Sequence, residues 1–203
     1  MQPDLTELLH RARQLVARGG RVLGIAGAPG AGKSTLAAEL VAAWGDGAQL
    51  LPMDGFHLAD DELARLRRGD RKGAPDTFDV DGYIAALGRV RTREADVLVP
   101  RFDRSLEAAI AGSLRVSVAT ELVVTEGNYL LLDVPGWRDV RPLLDEAWLL
   151  VADDEVRTAH LVERHVAHGR TDEAARAWVL AVDEPNAALV ARASGHADLV
   201  VRR

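Results

Sequence analysis

The chain has 203 residues, a formal net charge of −6 at pH 7 and no cysteine. This length fits a single domain over residues 1–203 and is too short for two full catalytic domains in series. The 25 basic residues are scattered along an acidic chain, which argues against a nucleic-acid partner, and the lack of cysteine excludes disulfide scaffolds and thiolate sites.

The N-terminal segment predicts an amphipathic helix. Apolar residues recur there at helical spacing with charges between them, at Leu5, Leu8, Leu9, Ala12, Leu15 and Val16. A signal peptide would have an unbroken apolar stretch instead, and no apolar run in the chain reaches the length of a membrane span. We therefore expect a cytoplasmic protein with no membrane partner.

Six short apolar runs predict β-strands, at 22–26, 49–54, 96–102, 121–127, 146–152 and 197–202. Helical patterns lie between them, at 34–44, 60–68, 80–91, 154–168 and 171–182. Apolar strands that alternate with helices are typical of an α/β fold with a parallel sheet covered on both faces. Ligands bind such sheets at the carboxyl ends of the strands, which makes 27–35, 54–57, 101–104 and 126–128 the candidate site segments.

The first of these segments contains a phosphate-binding loop. Residues 27–34, GAPGAGKS, match G-x-x-x-x-G-K-[ST] after a predicted strand and before a predicted helix. Lys33 is expected to reach the β- and γ-phosphates of ATP, and the Ser34 hydroxyl to bind Mg²⁺. The full set of predicted nucleotide-binding residues in the loop is Gly27, Ala28, Pro29, Gly30, Ala31, Gly32, Lys33, Ser34 and Thr35.

A phosphate loop alone does not separate kinases from GTPases and regulatory ATPases. Residues 133–136 match the D-x-x-G of GTPases, but Lys33 and Lys72 are the only lysines, so no N-K-x-D guanine motif exists. We interpret 133–136 as a turn. Two classes remain open: an ATP-dependent kinase, and a regulatory P-loop ATPase that controls a protein partner.

Two carboxylates follow predicted strands and favour the kinase. Asp54 is placed to take the proton of an attacking hydroxyl, and Glu126 to hold Mg²⁺ or to share the role of base. Asp54 is alternatively a helix N-cap or a turn residue, and Glu126 a polar strand end.

The motifs GIAGAPGAGKST, MDGFH, RKGAPDTFDVDGY, VPRFDRS and VVTEGNYLL resemble those of a group of P-loop kinases for small metabolites. The group includes uridine kinase, bacterial pantothenate kinase and phosphoribulokinase. The likeness runs from about residue 21 to 201 and is stronger to bacterial nucleoside/nucleotide kinase proteins, some labelled fructose-transport kinases. It implies a P-loop NTPase three-layer sandwich with a mainly parallel sheet and a helical lid, Asp54 as catalytic base and Glu126 at the metal.

The segment ERHVAHGRT is similar to the lid of uridine kinase, which implies a lid at about 164–183. Arg164 and Arg170 would then fold over the phosphates, neutralise charge on the transferring group and help to exclude water. Both are alternatively solvated arginines on an amphipathic helix. The resemblance also implies that Asn186 helps to close the nucleotide pocket.

The acceptor side departs from the family pattern. Phe102 replaces the tyrosine of P-x-Y-D and removes a hydroxyl, so uridine is not assumed as the acceptor. The candidate acceptor-binding residues are His57, Lys72, Asp76, Phe78, Tyr83, Arg101, Phe102 and Arg104. Several alternatives stay open among them: Phe78 and Tyr83 as core residues, His57 as a packing residue, and the three cations as partners of nearby aspartates.

These features together predict transfer of the γ-phosphate of ATP to a hydroxyl of a small polar metabolite. The acceptor classes implied by the resemblance are a nucleoside, a pantothenate-like alcohol and a sugar. A phosphate-bearing ribulose acceptor is possible if Arg101 and Arg104 face the pocket. Related kinases are often dimers or tetramers, so a homodimer is allowed.

Overall fold

A computed structural model describes residues 3–203 of the chain. The helices are α1 (Leu5–Ala17), α2 (Lys33–Trp44), α3 (Asp60–Leu66), α4 (Val80–Thr92), α5 (Asp154–Ala167), α6 (Asp172–Trp178) and α7 (Glu184–Arg192). The strands are β1 (Val22–Gly27), β2 (Ala48–Pro52), β3 (Val97–Asp103), β4 (Ala108–Val116), β5 (Leu122–Gly127), β6 (Glu146–Val151) and β7 (Leu199–Arg202). A π-helical segment, Val179–Asp183, joins α6 to α7 within the helix predicted at 171–182.

Five strands form a parallel sheet in the order β2-β5-β1-β6-β7. Every residue of β1 and β5 is buried, because these strands are covered on both faces, and this explains the apolar run in each. The strand order brings the carboxyl ends of β1, β5 and β2 side by side. The predicted α/β P-loop fold is confirmed.

Successive residues of the central strands belong to two separate cores. Val22 and Val123 pack on one face with residues of α4 and α7, whereas Leu23 and Val124 pack on the other face with residues of α1 and α2. This alternation follows from the two-residue period of a strand, and it makes the sheet the middle of three layers. Within residues 3–203, no helix combines the length and the apolar character needed to cross a bilayer.

We expected the strand predicted at 96–102 to join the parallel sheet, but it does not. It forms β3, which pairs antiparallel with β4 in a separate two-stranded hairpin. The burial of β3 alternates at its start and β4 is mostly exposed, so the hairpin packs on one face only. The prediction missed β4 because its sequence, AAIAGSLRV, is rich in alanine and has few of the β-branched and aromatic residues that are typical of strands.

Tyr83 lies in the core and not in the acceptor pocket to which the sequence assigned it. Its side chain is fully buried, and its hydroxyl is 2.6 Å from Thr125 Oγ1. The Thr125 hydroxyl in turn donates to the Leu51 carbonyl, also at 2.6 Å. The chain of hydrogen bonds ties α4 to β5 and β2, and burial raises the pKa of the Tyr83 phenol.

We predict that Tyr83→Phe lowers the free energy of unfolding by about 1 kcal/mol, because it removes one buried hydrogen bond and leaves the ring in place. Urea denaturation measures this change. Leu106→Ala, at an exposed position of the hairpin, serves as the control and should change stability by less than about 0.5 kcal/mol. Equal stability of Tyr83→Phe and the unaltered protein would contradict this role.

Candidate active site

The phosphate loop has the backbone conformation that its glycines allow. Gly30 and Gly32 have φ values of 79° and 88°, in the left-handed region. A Cβ at Gly30 would lie 2.8 Å from the Arg157 carbonyl oxygen, so a larger residue does not fit there. Lys33 is buried at the start of α2, and its Nζ donates to the Ala28 carbonyl at 2.9 Å. A loop of this shape at a helix N-terminus fits the phosphates of a nucleotide.

Glu126 stands at the end of β5, beside the loop. Its Oε1 accepts a hydrogen bond from Ser34 Oγ at 3.0 Å, and the carboxyl is only 6% exposed. Burial and the charge of Asp54 raise the pKa of Glu126 to about 7, against the opposing effect of Lys33. Burial also disfavours the charged form of Lys33 and so lowers its pKa. A hydroxyl and a carboxylate in contact are oxygen ligands of the type that Mg²⁺ prefers, so this pair fits the predicted metal site.

Asp54 lies in a short 3₁₀ segment, Met53–Phe56, that follows β2 directly. It is not a helix N-cap, because α3 begins at Asp60 with Ala59 as its N-cap. One carboxylate oxygen, Oδ2, is 3.3 Å from Nη2 of Arg104. The aspartate is therefore in contact with the β3–β4 hairpin.

A cavity of about 660 Å³ lies between the phosphate loop, the β3–β4 hairpin, residues 69–78 and α5–α7. It brings together most of the side chains that the sequence singled out. Those on its wall are Pro29, Gly30, Lys33, Ser34, Asp54, His57, Lys72, Phe78, Phe102, Arg104, Glu126, Arg164, Arg170 and Asn186.

Two further predicted acceptor contacts lie outside this wall, besides Tyr83. Asp76 forms exposed ion pairs with Arg71 at 2.9 Å and with Arg68 at 3.2 Å. Arg101 is an exposed residue of β3. The interpretation of Asp76 and Arg101 as acceptor contacts is therefore corrected. Of the two arginines considered for a phosphate-bearing ribulose, only Arg104 lies on the wall of the pocket.

His57 is held in one tautomer beside Asp54. Its Nδ1 is 2.7 Å from the Asp54 carbonyl oxygen, which only accepts hydrogen bonds, so Nδ1 carries the proton. The ring packs between Phe78 and Phe102, with centroid distances of 4.1 and 4.7 Å. Burial lowers the pKa of His57, and the neutral ring therefore keeps Nε2 as a hydrogen-bond acceptor.

The two arginines of the predicted lid occupy different environments. Arg164, on α5, is half-buried, and burial followed by the charge of Arg104 lowers its pKa. Arg170 lies beyond the end of α5, with its guanidinium carbon 4.0 Å from the centroid of the Trp178 ring. Asn186, on α7, is 3.5 Å from the Gly73 carbonyl through Nδ2, which places it beside residues 69–78.

Sequence reasoning missed two contacts that support this wall. The buried guanidinium of Arg157 bonds the Pro29 carbonyl at 3.3 Å and Glu184 at 2.7 Å, and so connects the phosphate loop to α5 and α7. His165 Nε2 is 2.9 Å from Asp183 Oδ2, which joins α5 to the π-helical segment. Neither contact had a signal in the sequence, because an arginine or a histidine on an amphipathic helix is usually solvated.

The fold and this site define a P-loop kinase. The sequence profile of the phosphoribulokinase/uridine kinase family matches residues 22–203, and the chain belongs to that family. Its members use ATP as the phosphate donor.

Several relatives share most of their length with this chain. It is 34% identical over 181 residues to a provisionally named uridine kinase, C227.14, of Schizosaccharomyces pombe, covering 82% of this chain and 77% of the relative. Identity to YggC of Escherichia coli is also 34%, over 85% and 73% of the two chains. A crystal structure from Silicibacter sp. TM1040, provisionally a fructose transport system kinase, aligns with a TM-score of 0.84 at 37% identity, over 95% and 98% of the two chains.

We predict that Glu126→Gln changes how stability depends on pH. The Glu126 carboxyl has an ordinary pKa of 4.5 and a pKa of about 7 in the folded protein. Between these two pH values, folding is therefore accompanied by uptake of a proton. Its stabilising contribution is complete below about pH 4.5 and is lost as the pH rises through about 7. Relative to the variant, the unaltered protein should therefore lose on the order of 3 kcal/mol of unfolding free energy between about pH 5 and 8.

Urea denaturation across this pH range, without nucleotide or metal, measures the effect. Parallel profiles for Glu126→Gln and the unaltered protein would show that Glu126 titrates normally.

Proposed function

We propose that this chain transfers the γ-phosphate of ATP, with Mg²⁺, to a hydroxyl group of a small polar metabolite. The observation that carries this proposal is the position of Asp54. It lines the same cavity as Lys33 and Ser34, and its charge acts on both Lys33 and Glu126. An enzyme that only hydrolysed ATP would not need a wall of aromatic and basic side chains beyond this carboxylate.

In the proposed reaction, Asp54 takes the proton of the acceptor hydroxyl as its oxygen bonds to the γ-phosphorus. The bond from that phosphorus to the bridging oxygen of ADP breaks in the same displacement, so atoms and charge balance. Mg²⁺ would neutralise phosphate charge when bound, and Ser34 with Glu126 would hold it. Catalysis rests mainly on positioning and electrostatics.

The remaining cavity residues supply charge and shape in this proposal. Lys33, Arg164 and Arg170 stabilise the negative charge spread over the transferring group. Arg170 lies on Trp178 in this structure and would turn from it to reach the phosphates. The proposed partner is a small-molecule acceptor, not nucleic acid or a membrane, and the proposed location is the cytoplasm.

We predict that Asp54→Asn lowers the rate of phosphoryl transfer by about 10²- to 10⁴-fold, because an amide cannot accept the proton. Binding of ATP should remain, since the phosphate loop is intact. ADP release and phosphorylated products are followed together by mass spectrometry over a panel of nucleosides, sugars and hydroxy acids. Fluorescence titration measures nucleotide binding.

Asp76→Asn is the matched control, because it makes the same change outside the cavity and should retain transfer. Metabolite-independent ADP release that persists in Asp54→Asn would instead favour the regulatory ATPase.

A further inference from the structure

Two arginines on the cavity wall keep most of their hydrogen-bond donors unused. Arg104 makes one side-chain hydrogen bond, from Nη2 to Asp54 Oδ2 at 3.3 Å. Among residues 3–203, the guanidinium of Arg164 has neither a hydrogen bond nor an ion pair within bonding distance. Each guanidinium has five N–H donors, so both remain open to a ligand.

Both arginines line the same cavity. The charge of Arg104 is, after burial, the largest influence that lowers the pKa of Arg164. Like charges in a partly buried site are unfavourable unless an anion lies near them. Both positions therefore suit negatively charged ligand groups.

The two arginines reach the cavity from different elements. Arg164 lies on α5, the helix whose Arg157 donates to the Pro29 carbonyl of the phosphate loop, and it lines the same cavity as Lys33. Arg104 follows β3 on the hairpin and bonds the proposed base, which places it on the acceptor side. The transferring phosphoryl group provides an anion for Arg164 but leaves Arg104 with open donors.

The wall around Arg104 is built from an aromatic ring and a second cation. The Arg104 guanidinium carbon is 5.9 Å from the centroid of Phe102, and Lys72 Nζ is 5.8 Å from the same centroid. Lys72 is already bound by Asp60 at 2.6 Å and by the Glu107 carbonyl at 2.8 Å. The exposed carboxylates of Asp60 and Glu107 also lie at this end of the cavity, and Asp60 is paired with Lys72. Arg104 is thus the cation of this wall with most donors available, since one of its five is used against two of the three of Lys72.

We propose that the acceptor is an acidic alcohol: its hydroxyl binds Asp54, and its carboxylate or phosphate group binds Arg104. This inference rests on the proposed function and names the substrate class for the same site. Because Arg104 and Asp54 are in contact, the acid group and the reacting hydroxyl lie close together in one small molecule. Two parallel N–H groups of a guanidinium match the oxygens of either acid group.

Matched acceptors test the class directly. Each set pairs a neutral alcohol with acidic counterparts. The sets are glycerol with D-glycerate and glycerol 3-phosphate, pantothenyl alcohol with pantothenate, and fructose with fructose 6-phosphate. We expect an acidic member to have a kcat/KM at least about 10-fold above its neutral counterpart, the gain of one charge-assisted hydrogen bond. The carboxylate and phosphate members show which acid group is used.

Arg104→Gln should lower kcat/KM for the acidic acceptor on the order of 100-fold, mainly through KM, and change that for the neutral counterpart by less than about 3-fold. Arg101→Gln is the matched control, since it removes the same charge from the exposed face of the same hairpin. Arg104→Lys, which keeps the charge, should restore part of the loss.

If Arg104→Gln lowers kcat/KM equally for acidic and neutral acceptors, Arg104 acts on Asp54 or on the phosphoryl group, and the inference is overturned. Efficient transfer to neutral alcohols alone would overturn the inference and leave the proposed function standing. A lack of transfer to any alcohol would remove the basis of both.

Discussion

The register of three parallel strands is the constraint on which this site depends. Glu126 is paired with Ile25 of β1 on one side and with Pro52 of β2 on the other. The chain leaves β1 into the phosphate loop and leaves β2 into the segment that carries Asp54. One residue of β5 thus lies between the phosphate-binding elements and the proposed base, and the sheet holds all three in place.

This arrangement concentrates charge where water is scarce. Glu126 and Lys33 are both buried, and burial disfavours the charged form of each, as the raised pKa of Glu126 and the lowered pKa of Lys33 indicate. Their mutual attraction and the Ser34 hydrogen bond offset part of that cost. Such a site is poised for a ligand that brings both negative phosphates and a cation, since these restore the charges that burial suppresses.

The sequence predicted the elements whose patterns are local and left out those that depend on tertiary contacts. The G-x-x-x-x-G-K-S motif and the strands β1, β2 and β5 identified the phosphate loop, Asp54 and Glu126, because each follows a strand in a parallel sheet. Strand β4 is rich in alanine and lacks a strong strand pattern. The residue type of Tyr83 fits a pocket wall as well as a core, and only its buried hydrogen bond to Thr125 decides between them. The directions of Arg101 and Arg104 depend on the hairpin's one-sided packing, which residue types alone do not reveal.

The proposed function requires that the γ-phosphate goes to an alcohol and not to water. This is tested by a reaction with an alcohol that supports turnover, in water enriched in oxygen-18, with mass spectrometry of the phosphorylated product and of inorganic phosphate. Transfer to the alcohol predicts a phosphorylated alcohol with no oxygen from the solvent and little labelled phosphate. ADP formed in step with phosphate that carries one solvent oxygen, with no phosphorylated alcohol, would contradict it.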